Sequence, residues 1–419
     1  MFLSFKLTRR HMALVILAAL FFMEGVLTAL NDILIPHLKM VFQLSYFQIM
    51  CIQLVWFSVY LTNSYAFGLW VRRTSYKAGI VGGFLLAAVG AELFFMAWYL
   101  DAFSGFLVAL FIVASGVCLL QVVSNPYGMA LGSAETKYQR MMWLHAFFAI
   151  GSTVAPLVAG PEILDESRLG DWQLPYVFTE TQQGAGSVLL PYGVLGVILV
   201  LLGIISFCLP LPDCSMAEQK EKKAGCDSAW RYPHTIFGAV TAFFYIGTEV
   251  LIGSFIINYA LSEQVDVGDM ALSVLVSIYW GGILAGRLCC PWLMTRVPVA
   301  MMLVLAGLIS AILLLVSILS AGLVAVVMVV LVGLFNSVMY PVIYSLAMKD
   351  MPPAVATQAS GIVSTAGIGG ALIPLLGGLI ADIWGINAAF ILSVFCYLVI
   401  AAYGIFAGKR NQKEASLSQ

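Results

Sequence analysis

The sequence predicts an all-α membrane protein of twelve transmembrane helices, arranged as two six-helix halves related by pseudo-two-fold symmetry. Three observations carry that expectation. The 419 residues are 62% hydrophobic and only 10% charged, against about 25% charged residues in an average soluble domain. Twelve apolar stretches follow one another, each near the roughly 20 residues that a helix needs to cross the hydrocarbon core. A short Gly- and Pro-containing motif occurs twice, once in each half of the chain.

The stretches lie near 11–36, 46–71, 77–99, 103–131, 138–159 and 188–211, then 233–260, 270–293, 299–319, 322–347, 356–381 and 386–407. The first is too long for the apolar core of a signal peptide, and no small-residue cleavage site precedes the next, so it is expected to stay as the first span. Short cytoplasmic loops carry the excess of Lys and Arg. An inside amino terminus places Lys6, Arg9 and Arg10, then Arg72, Arg73 and Lys77, Lys137 and Arg140, Lys220, Lys222 and Lys223, and Lys409, Arg410 and Lys413 in the cytoplasm, with Lys39 and Arg168 outside. Both termini are therefore expected in the cytoplasm, and the chain in the cell inner membrane among its lipids. A net charge of −1 gives no reason to expect nucleic acid as a partner. The eight cysteines form neither a CxxC pair nor a His/Cys cluster, so no metal site or disulfide framework is expected. A nucleophile with its base and a phosphate-cradling Walker loop are both missing from the pattern. The expectation is a protein that is not an enzyme and needs no cofactor.

Residues 1–211 and 233–419 read as the two halves, joined by a polar cytoplasmic linker at 212–232 that holds DCSMAEQKEKKAGCDSAWRY. A second polar stretch, 160–186, reads as a solvated outer loop. IGSTVAPLVAG (150–160) in the fifth span matches IGGALIPLLGG (368–378) in the eleventh, and Pro126 and Pro341 sit at corresponding depths of the fourth and tenth. Gly and Pro are common in membrane helices, so no single glycine is informative; the match in register is. Duplicated halves with interrupted helices suit a carrier that rocks one half against the other.

FFMEGVLTALNDILIPHLK (21–39) puts Glu24 and Asp32 inside the first span. An intramembrane charge costs about 2.5–3.5 kcal/mol on insertion scales, so such acids usually face a cavity and serve a function. At 100° per residue Glu24, Thr28 and Asn31 share one stripe, with Asp32 beside it. Asp32 suits cation coupling, because opening to either side of the membrane changes its desolvation; the plain alternative is an acid bonded at a helix end, since Pro36 follows. Glu24, two turns deeper, suits a second proton site or a hydroxyl acceptor, or else a carboxyl neutralised by burial. Gln121 and Asn125, four apart with Ser124 between them, form a patch ahead of Pro126. Amides donate and accept at once, which suits a ligand whose groups do both. In the second half Tyr245 and Glu249 share a face, and Asn336 and Tyr340 make a comparable pair ahead of Pro341; aromatic rings and a few amides are the usual lining of a site for a small polar ligand. Interhelical bonding is the alternative for the amides and packing for Tyr340. His145 titrates near neutral pH and suits a relay or a structural bond. Arg287 is expected to pair with a carboxylate or a helix end.

After the second span, GLWVRRTSYK (68–77) resembles the major facilitator signature Gly-x-x-x-Asp-Arg-x-Gly-Arg-Lys, with Gly68, Arg73 and Lys77 in place and Arg72, Ser75 and Tyr76 departing from it. LNDILIPHLKMVF (30–42), LQVVSNPYGMALG (120–132), FFYIGTEVLIGSFIINY (243–259), LFNSVMYPVIYSLAMKDM (334–351) and QASGIVSTAGIGGALIPLLGGLIAD (358–382) resemble the fucose/galactose/glucose symporter family, and within it the glucose/galactose branch. The resemblance implies the major facilitator fold and a carrier that couples monosaccharide uptake to an ion gradient. Asp32 matches that family's first-span Asp and Glu249 the seventh-span acid of the glucose/galactose branch. Gln121 stands where fucose-type members keep an acid. Glu24, His145 and Phe148 depart from relatives, which tend to have an apolar or aromatic residue, Gln and Asn there. The combined expectation is hexose/cation symport by alternating access, with Asp32, Glu249 and Glu24 in coupling. Asn31, Gln121, Asn125, His145, Tyr245, Asn336 and Tyr340 are expected in sugar binding. Another sugar (fucose, mannose or N-acetylglucosamine), sodium in place of the proton, and a non-transporting sensor stay open; one chain suffices for function.

Overall fold

The computed structural model describes residues 9–131, 137–164, 185–212, 231–265, 272–294, 296–349, 359, 362–363 and 365–417. Most of the expected linker (212–232) and outer loop (160–186) lies outside the described residues. The order is α1 (Arg9–Val41), α2 (Tyr46–Thr62), α3 (Ser64–Arg73), α4 (Tyr76–Tyr99), α5 (Phe103–Ala130), α6 (Lys137–Leu164), α7 (Leu189–Cys208), α8 (Pro233–Ser262), α9 (Ser273–Met294), α10 (Val299–Leu319), α11 (Gly322–Ala347), α12 (Gly369–Trp384) and α13 (Ile386–Leu417). Among the described residues no strand occurs. Among the described residues eleven helices are long and apolar enough to span a membrane, and Tyr46–Thr62 is a shorter apolar helix. This is a multi-pass membrane protein.

Two spans differ from expectation. The second is not one helix over 46–71 but α2 and α3, interrupted at Asn63. The hydroxyl of Thr62 donates to the carbonyl of Ser58 at 3.1 Å and that of Ser64 to the carbonyl of Tyr60, a back-bonding pattern that bends helices. The side chain of Asn63 leaves its own helix and donates to Ser115 at 3.0 Å. The eleventh carries a 3-10 turn over Thr365–Ile368 directly before α12, and it stops at Gly385 with φ +89°. That left-handed backbone costs glycine nothing and so suits a helix stop.

The chain divides into two compact units, Met1–Phe42 with Ser58–Glu218 and Gln43–Phe57 with Gln219–Gln419. Within the first, α1 packs on α6, and α4 on both α5 and α7; within the second, α8 packs on α12, and α10 on both α11 and α13. Counted as spans, these are the same pairs in each unit. The duplicated motif explains one of them. A Cβ on Gly151 would collide with the carbonyl oxygen of Phe22, and a Cβ on Gly369 with that of Phe243. Glycine at that motif position lets two helix backbones touch, which is how membrane helices gain van der Waals packing when no hydrophobic drive separates protein from lipid.

Within the second unit, Asp382 at the end of α12 accepts the backbone N–H groups of Tyr46 and Phe47 at 2.7 and 2.8 Å. A carboxylate there meets the unsatisfied donors and positive pole of the α2 amino terminus. Gln53 extends the hold by donating to Ser254 at 2.8 Å, and Tyr46 sets its ring against Phe255 at 5.6 Å.

Replacing Gly151 by Val should lower the melting temperature in detergent by several degrees or abolish folding, because overpacking of a tight contact costs about 1–3 kcal/mol. Gly68, with open space around its Cβ direction, should accept Ala within about 0.5 kcal/mol. Differential scanning fluorimetry of the two variants checks the contrast.

Candidate functional site

Each unit buries one polar cluster. In the first, α1 carries Glu24, Asn31 and Asp32 at 1%, 2% and 5% exposure. Thr28 spends its hydroxyl on the carbonyl of Glu24 at 2.8 Å. The Glu24 carboxyl lies in the electrostatic field shared with Tyr60 of α2 and the buried Cys118 of α5, and the Tyr60 hydroxyl bonds the side chain of Gln121. One carboxyl oxygen of Glu24, Oε1, is buried with no hydrogen-bond partner. Burial makes an uncompensated carboxylate oxygen unfavourable, so a proton or another cation relieves it.

Asp32 sits elsewhere. The first span runs on to Val41, beyond the expected end at 36, so Asp32 lies inside the helix and not at its terminus. Pro36 has no N–H to return to the carbonyl of Asp32 four residues earlier. Glu24 and Asp32 are two turns apart, roughly 12 Å along the axis, so they cannot ligate one ion together. On α5, the side chains of Asn125 and Ser124 turn back to the carbonyl of Gln121 at 3.3 and 3.5 Å. His145 is exposed on α6 and lays its ring edge against Phe21 at 4.9 Å. The structure thus groups Glu24 with Tyr60, Cys118 and Gln121, and places Asp32 two turns along α1 from Glu24.

In the second unit Tyr245 donates to the carboxylate of Glu249 one turn later and is also 3.1 Å from the backbone carbonyl of Asn336 on α11. Tyr279 of α9 donates to the backbone carbonyl of Glu249 at 3.1 Å. Asn336, fully buried, is the hub: its Nδ2 donates to the Tyr279 hydroxyl at 2.9 Å and its Oδ1 accepts from Tyr397 of α13 at 2.7 Å. Helices α9 and α13 meet α11 at this amide, and α8 reaches the backbone carbonyl of the same residue through Tyr245. The ring of Tyr340 lies 6.0 Å from that of Tyr245, and half-buried Arg287 of α9 lends its positive field to Glu249 and Tyr245. A carboxyl, three phenol hydroxyls, an amide and a guanidinium can bind a proton and read the hydroxyls of a small polar ligand.

Tyr60, Cys118, Tyr279 and Tyr397 were not legible as site residues, because a tyrosine inside an apolar run has the pattern of packing. The only local signal is that a buried phenol needs a partner.

A model of the Major Facilitator Superfamily matches residues 14–368. The chain belongs to that superfamily, within its fucose/galactose/glucose symporter family. It is 40% identical over 401 residues to the "Glucose/galactose transporter" of Brucella abortus, covering 95% of this chain and 94% of the relative. It is 29% identical over 412 residues to the "L-fucose-proton symporter" of Escherichia coli, covering 95% and 92%. The crystal structure of an Asn-to-Ala variant of the E. coli fucose:proton symporter FucP superposes with a TM-score of 0.68 at 26% identity, covering 96% of this chain and 99% of that one.

Asn336→Leu should destabilise the protein by about 1–3 kcal/mol, because it takes the acceptor from the buried Tyr397 hydroxyl, while Tyr279 keeps its bond to the Glu249 carbonyl. Restoring apolar character with Tyr397→Phe in the same chain should recover part of the loss. Thermal unfolding of the single and double variants in detergent reads the coupling.

Proposed function

We propose that the protein is a proton-coupled importer of a glucose- or galactose-type hexose, working as a monomer by alternating access in the cell inner membrane with both termini in the cytoplasm. The observation that carries the reading is the pair of buried acid, tyrosine and amide clusters, one around Glu24 and one around Glu249. The names of the relatives support the substrate: glucose/galactose for the Brucella abortus protein and L-fucose with a proton for the E. coli one.

In this proposal Asp32 takes the coupling proton, with Glu249 and Glu24 as further proton sites. Neutralising a buried carboxylate removes a large part of its desolvation cost, so the protonated carrier can occlude where the ionised one resists. Asn31, Gln121, Asn125 and His145 in the first unit, and Tyr245, Asn336 and Tyr340 in the second, serve the sugar. The Asn336 amide, engaged by two tyrosines, serves by holding Tyr279 and Tyr397 in place. The Nδ2 of Asn125 is spent on α5 itself, which leaves its oxygen for a sugar hydroxyl. The orphaned Oε1 of Glu24 supports a proton there.

The test is external pH in a weakly buffered suspension of proteoliposomes, with a panel of hexoses and N-acetylhexosamines added with and without sodium. Alkalinisation on adding glucose or galactose in the absence of sodium is expected. Uptake that requires sodium and moves no proton would overturn the proton coupling. With Asp32→Asn, accumulation against a gradient should disappear while sugar counterflow continues; accumulation with unchanged pH dependence would remove Asp32 from the coupling role.

A further inference from the structure

The Tyr245 hydroxyl has one hydrogen and two acceptors in reach, the Glu249 carboxylate and the Asn336 carbonyl at 3.1 Å. A phenol donates once. We propose that Tyr245 is a positioning residue that reports the protonation of Glu249 to α11, by handing its single hydrogen from the carboxylate to the Asn336 carbonyl. The inference rests on Glu249 being a proton site of the symporter.

With Glu249 ionised, the charge-assisted bond holds the phenol hydrogen, since such bonds are roughly twice as strong as neutral ones. When a proton from the medium binds the carboxylate, the new carboxyl O–H donates to the Tyr245 oxygen. The phenol hydrogen, which never leaves its oxygen, then turns to the backbone of Asn336. Protonation thereby reverses the direction of the bond inside α8 and adds a bond from α8 to α11.

The surrounding bonds make that exchange specific. Both side-chain atoms of Asn336 are occupied by Tyr279 and Tyr397, so its backbone carbonyl is the group left to respond. Tyr279 anchors the Glu249 carbonyl in either state, because a backbone oxygen does not titrate. Pro341 removes an N–H from α11 within a turn and a half of Asn336, and a helix short of a backbone bond yields more readily there. The titratable and charged groups around Glu249 are Arg287 and Tyr279 on α9, Tyr340 on α11 and Tyr397 on α13. Helix α12 presents Gly369 and Ile373 to α8 at Gly247.

The experiment compares Tyr245→Phe, Glu249→Gln, their double variant and Tyr259→Phe in proteoliposomes, reading hexose exchange against pH with each curve scaled to its own maximum. Tyr245→Phe and Glu249→Gln should flatten the profile alike, the double variant should add nothing, and proton-driven accumulation should fall about tenfold, the size of an ordinary coupling between sites. Tyr259→Phe, which removes a buried hydroxyl from α8 away from the hub, should keep the wild-type profile. A wild-type profile in Tyr245→Phe overturns the proposal.

Infrared difference spectra of the wild-type protein across a pH step need no folded variant and no sugar. A carboxylic acid band should rise together with a shifted tyrosine C–O band; the acid band without the tyrosine shift overturns the proposal. No exchange of any hexose by the wild type would instead reject the sugar reading, and the spectra would still decide the role of Tyr245.

Discussion

Taking a carboxylate out of water costs several kcal/mol unless hydrogen bonds or a counter-charge compensate it, and the helices around Glu24, Asp32 and Glu249 are organised by that demand. Glu249 meets it with a phenol hydrogen bond and the positive field of Arg287. Glu24 meets it incompletely, with one oxygen buried and unpartnered. Asp32 is buried inside a helix that Pro36 deprives of a backbone donor at the same turn. Three acids in three environments need not titrate together, which gives a carrier more than one way to tie charge to conformation.

Holding such acids requires a scaffold that cannot relax around them. Glycine makes the scaffold tight: Gly151 and Gly369 bring helix backbones into contact at equivalent motif positions of the two units. Tyrosine and asparagine make it specific, because a buried hydroxyl or amide tolerates only the helix placement that satisfies it. Tyr259 does the same further along α8, bonding both the carbonyl and the hydroxyl of Ser317 at 3.3 and 3.0 Å. The same bonds that fix Asn336 therefore fix where Glu249 stands on α8.

Much of the fold was legible because apolar length and glycine register are written directly in the residues. Ten of the expected spans correspond to single helices, and the repeat reappears as the same helix pairings in each unit. The break at Asn63 was not legible, since it depends on which hydroxyls turn back to their own helix and on Ser115 lying beside the Asn63 amide. The acids and amides drew notice by being rare in apolar runs. Tyr279 and Tyr397 did not, because their roles are set by the distant Asn336 and only tertiary contact separates a bonded phenol from a packed ring. Helical spacing placed Glu24, Asn31 and Asp32 close to one stripe, yet it could not show that Glu24 shares its surroundings with Tyr60 and Cys118.

The central claim is that the buried carboxyls tie sugar binding to proton binding within one chain. Calorimetric titration of glucose or galactose into the purified protein, in two buffers of different ionisation enthalpy at the same pH, measures the protons exchanged on binding. The account predicts a heat that depends on the buffer and corresponds to protons taken up with the sugar. A heat of binding identical in both buffers at every pH would contradict it.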